Sequence, residues 1–384
     1  GYYTALSGKN HIGKAGAKVT AWDFVSKAAG KKPGNSGGHG DWVDVVENRP
    51  KDKPFFFWFA SMDAHRGWDS DKEWDEDAYG PRHRAKDVIL PPFLIDEQGT
   101  REDLASYYNE VTRFDHFIGR VEKSLKSQNA WENTLILILA DNGRPFNRAK
   151  TRLQDSGMKT AMVAHWPNGL RSAGESTKSM VSVIDIAPTF LEVAGISTPE
   201  TMQGVSFRKI LDDPTAKTRK WAFSEHNWHD YEAHGRSVRD GKFLLIRNSR
   251  PYLMQPGPAD ALRSPTYEAL KVARDANRLT PAQSDVFLMP RPTVELYDTS
   301  KDPFQLTNLA GRKEFAERET QLVAMLDRWS DETHDSVPKR ISADRFDKET
   351  GEVIPFEDGQ RDAYRGTTPG EDRGAERWNG AGPR

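Results

Sequence analysis

The chain has 384 residues, long enough for one large domain and a smaller companion. A formal net charge of −2 with 29% charged residues leaves no basic surplus for nucleic acid, and no apolar run approaches the ~18–20 residues of a membrane span. Cysteine is absent, which excludes disulfides, thiolate metal sites and cysteine nucleophiles within these residues and leaves the redox compartment open.

The chain opens on a strand-like run at 2–7, with no initiator Met and no leader, so further sequence is expected upstream. A glycine-punctuated turn (Gly8 to Lys14) and a loop rich in Gly, Lys and Ser (Gly30 to Gly40) follow. Pro54 to Ala60 reads as a buried aromatic strand, leading into Asp63-Ala64-His65-Arg66 and a long acidic, Pro-containing excursion to Gly99. Thr100 is the expected N-cap of a helix, and Leu104, Tyr107, Val111, Ile118, Val121 and Leu125 form its apolar stripe.

Leu135 to Leu139, five consecutive aliphatics, then read as a strand covered on both faces. Strand, helix and strand in that order predict a right-handed βαβ unit in a parallel sheet. Met158 to Trp166 is a further expected strand, and Pro188 sits in the first turn of a helix over Thr189–Ala194 that Gly195 closes. From about Lys217, short strands (Trp221–Ser224, Phe243–Ile246, Val294–Tyr297) and a helix from Arg312 to Trp329 predict a smaller α+β subdomain. The division expected is 1–215, 216–335 and an extended polar tail over 336–384 that wraps the surface because it is too polar to make its own core.

Several residues have side chains suited to chemistry. Asp141-Asn142-Gly143 lies beyond the carboxyl end of an α/β strand, where such folds place their sites; its hard oxygens suit Ca²⁺ or Mg²⁺ rather than zinc, and an Asx-Gly turn is the competing reading. Lys9 and His11, two apart, pair an anion-holding ammonium with a group that exchanges protons near neutral pH. Asp63, His65 and Arg66 form a polar cluster at a strand end. Lys150 leaves the Asp141 loop as a lone cation. Glu225, His226, His229 and Arg236 have too few nitrogen or sulfur neighbours for zinc and suit a rim that hydrogen-bonds sugar hydroxyls or sulfate.

Residues 1–13, a glycine-tyrosine strand followed by Gly8-Lys9-Asn10-His11-Ile12-Gly13, resemble a signature of the formylglycine-dependent sulfatases, with Asn10 where Trp is common. Further likeness lies in the strand ending at His65, in Asp141-Asn142-Gly143, in Val183-Ile184-Asp185-Ile186-Ala187-Pro188-Thr189 and in Glu295-Leu296-Tyr297-Asp298, so that it runs to about residue 335. Asp63-Ala64-His65-Arg66, Asp141 to Phe146 and Trp329 to Asp335 resemble the heparan N-sulfatase branch.

The resemblance implies an alkaline-phosphatase-like α/β fold, with a mostly parallel sheet sandwiched by helices and a smaller carboxyl-terminal subdomain. It implies hydrolysis of a sulfate ester or sulfamate on a saccharide, in an exported compartment. Asp141 and Asn142 would hold a divalent cation, Ca²⁺ ahead of Mg²⁺. Lys9 and Lys150 would hold sulfate oxygens, His65 would act as acid and His11 as base. Asp63, Arg66, His226, His229 and Arg236 would bind the sugar. The family's Cys/Ser-x-Pro-x-Arg segment, whose first residue becomes formylglycine, is expected before the glycine-tyrosine strand and does not precede it here. The chain therefore reads as a truncated sulfatase, inactive by itself. The partner expected is a sulfated saccharide, and the oligomeric state is open, a homodimer included. The alternatives are a phosphatase or phosphodiesterase on the same fold and a non-catalytic binder of sulfated glycans.

Overall fold

A computed structural model describes residues 1–10, 21–26, 36–355, 368–378, 380 and 382–383. Two compact units divide it: residues 1–90 with 95–134, and residues 91–94 with 135–384.

The first unit is built on a parallel sheet of three strands, β1 (Tyr3–Gly8), β2 (Phe24–Val25) and β3 (Phe55–Ala60), in the order β2-β1-β3. Parallel neighbours need a crossover, and the helix Trp42–Asn48 lies within the one between β1 and β3. Trp42 stacks on Phe59 with centroids 5.2 Å apart, so the aromatic strand is packed by an aromatic helix. Gly8 pairs with Ala60 at the sheet end. Its φ is 93°, and a Cβ there would lie 1.9 Å from the Ala60 carbonyl oxygen, so only glycine fits.

The long helix spans Gln98–Ser127. Glu97 rather than Thr100 takes the N-cap position, and Thr100 is buried inside the first turn. Leu104 and Leu125 face the core as the periodicity predicts, but Val111 is exposed. The buried positions there are Asp103, Asn109, Glu110 and Arg113. Apolar counting misses them because each polar group is matched by a partner from another segment.

In the second unit, β4 (Ile136–Leu139) pairs with β5 (Met162–His165), and the pair is antiparallel. This corrects the expected parallel βαβ unit: a continuous apolar run says that a strand is covered, not which way its neighbour runs. All four β4 residues are half-buried, and Leu135 and Leu137 pack on Phe207, Ile210 and Leu211. The expected strand from Met158 begins only at Met162, since Asp155–Met158 is a helical turn. The helix Ile186–Val193 starts earlier than expected and closes at Gly195, φ 71°.

An antiparallel sheet follows in chain order: β6 (Ala222–Trp228), β7 (Glu232–Arg239), β8 (Phe243–Asn248) and β9 (Val294–Asp298). Alternation divides β8 between two layers. Phe243 and Leu245 join Val238, Leu296, Leu322 and Leu326 beneath the helix Ala316–Glu332, while Leu244 and Ile246 pack with Leu153 and Tyr297 on the other face. β7 and the helix Pro265–Asp275 were not expected from sequence. The stretch after Pro338 lies against this unit: Ser342 N donates to Glu232 Oε2 at 2.7 Å, Arg345 N to the Asp230 carbonyl at 3.0 Å, and Tyr267 OH to the Lys348 carbonyl at 3.2 Å. No helix among the described residues is long and apolar enough to cross a membrane.

Candidate active site

The parallel pairing of β1 with β3 brings Lys9 and the 61–66 loop to the same end of the first unit's sheet. Lys9 follows β1 and its N–H donates to the Ala60 carbonyl at 2.8 Å. His11 lies outside the described residues. His65 is exposed on the loop after β3, its N–H bonded to the Met62 carbonyl at 2.9 Å. Its Nδ1 is 3.0 Å from the Arg66 carbonyl oxygen, which can only accept. Nδ1 therefore carries the hydrogen.

The residues flanking His65 are committed to internal partners. Asp63 receives Arg113 Nη2 at 2.6 Å and Nε at 2.9 Å, and sits 2.9 Å from His39 Nε2. Burial pushes the Asp63 carboxyl up, but hydrogen bonds from His39 and Arg113 outweigh it and hold it at about 2. Arg66 grips Asp103 through Nη1 at 2.8 Å and Nη2 at 2.9 Å, and Trp68 Nε1 donates to the same carboxylate at 2.8 Å. Glu110, next to this cluster, is raised to about 8, first by burial and then by the neighbouring Asp63. Asp63 and Arg66, expected at a sugar rim, thus anchor the His65 loop to one helix face.

In the second unit, Asp141 is exposed just beyond β4, and Asn142 Nδ2 donates to the Gly143 carbonyl at 2.7 Å. That leaves the amide oxygen as the Asn142 atom able to ligate a cation. Gly143 N donates to the Gly157 carbonyl at 2.8 Å, and a Cβ on Gly143 would come within 1.9 Å of the Ser156 carbonyl oxygen. The Asp-Asn-Gly turn is thereby pressed against the Ser156–Gly157 turn. Lys150 N donates to the Arg144 carbonyl at 3.1 Å, which ties its loop to the same turn. Arg148 and Thr151 flank it with φ of 59° and 72°, left-handed conformations that cost non-glycine residues roughly 1–3 kcal/mol each and are enriched at functional sites.

Asp141 and Asn142 offer the oxygen chemistry that Ca²⁺ takes, but among the described residues no group of three or more His, Cys, Asp or Glu is arranged around a metal. The rim expected on β6 and β7 is less open than anticipated. Arg236 is buried and bidentate to Asp335, both bonds 2.8 Å. His226 Nε2 is sealed without a hydrogen-bond partner, and burial first, then the cationic neighbours, lower its pKa to about 3. His229 keeps 43% of its side chain exposed, 3.8 Å from Asp230. Sequence reading missed His39, Glu110 and Arg113, for which the available signal was a Glu–Arg pair three apart on a helix.

A Ser-x-Pro-x-Arg string occurs at Ser336–Arg340. Ser336 Oγ donates to Asp372, and the Pro338 carbonyl accepts from Arg250, so the string fastens the tail.

Residues 41–196 match the family model described as Sulfatase, and residues 148–252 match the model for the carboxyl-terminal part of N-sulphoglucosamine sulphohydrolase. An ulvan-active sulfatase of Formosa agariphila is 31% identical over 362 residues, covering 86% of this chain and 57% of that protein. The human N-sulphoglucosamine sulphohydrolase is 26% identical over 369 residues, covering 87% of this chain and 72% of that protein. The structure of BT4656 with its substrate D-glucosamine-2-N,6-O-disulfate superposes with TM-score 0.57 at 18% identity, covering 86% of this chain and 80% of that one. That of BT1596, a 2-O GAG sulfatase, gives 0.55 at 16% identity, covering 86% and 72%. These structural likenesses show the alkaline-phosphatase-like sulfatase fold.

Proposed function

We propose, from the premise that this chain is sulfatase-family in sequence over residues 41–196, that it belongs to a hydrolase of sulfate esters or sulfamates on saccharides, of the kind that includes the N-sulfoglucosamine sulfohydrolases. The observation that carries this reading is the loop pair of the second unit, where Gly143 admits no side chain against Ser156 and Lys150 sits between two left-handed residues.

A divalent cation, Ca²⁺ ahead of Mg²⁺, fits Asp141 and the Asn142 amide oxygen and would supply charge neutralisation at sulfate oxygens. Lys150 and Lys9 hold the remaining oxygens as point charges and stabilise the charge that builds in the transition state. His65, with Nδ1–H tied to the Arg66 carbonyl, presents Nε2 to protonate the leaving oxygen or nitrogen. His11 is the complementary base. None of the residues carried over is a nucleophile, and the family's formylglycine segment would supply one.

The test is sulfate release by the natural gene product from defined N- and O-sulfated saccharides, alongside its Lys150→Ala variant. Preferential hydrolysis of phosphate monoesters would favour the phosphatase reading. Binding by the whole product without any release would favour a non-catalytic glycan binder.

A further inference from the structure

A polar cavity in the second unit reaches Thr151, beside Lys150. It measures about 10 Å³, room for one small occupant and not for a sulfate or phosphate, and Arg152, Gln154, His226, Asn248, Gln255 and Glu295 line it. Three of these residues have sealed atoms with no hydrogen-bond partner: Arg152 Nε, Gln255 Nε2 and His226 Nε2. The first two are N–H donors. The Arg152 side chain is only 1% exposed.

The charge around the cavity does not balance. Arg152 and Arg291 bind the Asp285 carboxylate and Arg148 Nε approaches it at 3.6 Å, so three guanidinium groups gather on one carboxylate. Glu295 is the second acid, 3.7 Å from Arg291. Its oxygens already accept from Asn248 Nδ2 at 2.7 Å, Gln154 Nε2 at 3.1 Å and Tyr297 OH at 2.5 Å. Among these described groups, three cations face two anions, leaving one positive charge in excess. Arg148 Nε and Nη1 also lack hydrogen-bond partners. Buried charge is sustained when it is paired, and donors out of reach of water call for an acceptor.

We propose that this cavity is a site for a single monatomic anion, chloride, held by Arg152 Nε–H and Gln255 Nε2–H with the His226 ring as third contact. A water molecule would accept from the two donors but would leave the excess charge in place. The occupant also packs against Thr151, next to Lys150, and so supports the kinked loop that carries that cation.

The experiment uses the full chain. Thermal unfolding is followed at fixed ionic strength while chloride is exchanged for gluconate, and crystals grown in bromide are examined for anomalous scattering. The expected results are a saturable rise in Tm with chloride or bromide and a bromide peak within reach of Arg152 and Gln255. A Gln255→Leu variant, still unfolding cooperatively, should lose most of the halide-dependent shift. A Tm indifferent to the exchange overturns the proposal. So does a cavity that holds only water in bromide-grown crystals, a result that requires no variant to fold.

Discussion

Arg113 meets Asp63 at two points, Nη2 to Oδ1 at 2.6 Å and Nε to Oδ2 at 2.9 Å, with 3% and 2% of the two side chains exposed. The same guanidinium reaches Glu73 and Ser36 through Nη1, both at 3.0 Å. One residue of the long helix thus closes the loop that carries His65 onto the segment ahead of the helix Trp42–Asn48.

Removing that guanidinium leaves the Asp63 carboxylate buried with His39 as its main remaining partner. Arg113→Met should therefore destabilise the first unit by about 3–5 kcal/mol, the usual cost of breaking a buried pair from one side. Denaturant unfolding measures it. A loss below about 1 kcal/mol would show that the pair is not sealed as described.

Glu110 sets a pH dependence of definite sign. Its folded pKa, about 8, lies above that of a free glutamate, so the folded state holds the proton more tightly. The stability this contributes is complete below the unfolded pKa, declines as pH rises from there to about 8, and is gone above it. Glu110→Gln keeps an acceptor for Ser70 N–H and removes the titration. It should be near neutral at acidic pH and stabilising by about 1–3 kcal/mol in alkaline buffer, the scale of a poorly compensated buried polar group. Parallel Tm–pH curves for the two proteins would refute this.

Gly143→Ala tests the pressed turns. The added methyl meets the Ser156 carbonyl oxygen at 1.9 Å, and backbone on both sides must move. Overpacking of this kind costs about 1–3 kcal/mol. Calcium affinity at Asp141 and Asn142, read by calorimetry, should fall with it. Unchanged stability and unchanged affinity together would show that the two turns are not held against each other.

Lys150→Ala and His65→Ala separate binding of sulfate from proton transfer. In the natural gene product, Lys150→Ala should lower kcat by about 10²–10³ with Tm unchanged, because its side chain forms no ion pair among the described residues. His65→Ala should cost about 10²–10⁴ on sugar sulfates and much less on activated aryl sulfates, whose leaving groups need no proton. Equal losses on both substrate types would remove His65 from the role of acid.

How far the sequence could be read depended on where each residue's partner lies. Apolar runs marked β1, β3, β4, β8 and β9, because such runs need no distant partner to be intelligible. β7 escaped because Glu232, His234 and Arg236 look like surface residues until Arg250, Ser336 and Asp335 are brought to them. The helix Pro265–Asp275 had a visible start in Ser264-Pro265, whose serine side chain accepts from Tyr267 N–H, but charged residues diluted its apolar stripe. At the site, the motif located Asp141, Asn142, Lys150 and His65 in loops. It could not show that Asp63, Arg66 and Arg236 would be occupied by Arg113, Asp103 and Asp335.

The polar stretch after Pro338 has a consequence for how this protein ages. One oxygen of Glu232, in a central strand, accepts from Arg250 and the other from the amide of Ser342. Val337 and Ile341, both just ahead of that crossing, are 45% and 48% exposed and so within reach of a protease. A cut between them would sever no sheet ladder, yet the released end could peel away and wet a carboxylate at the heart of the domain. Nicked molecules should then soften from β7 outward, long before the aromatic strand of the other unit gives way.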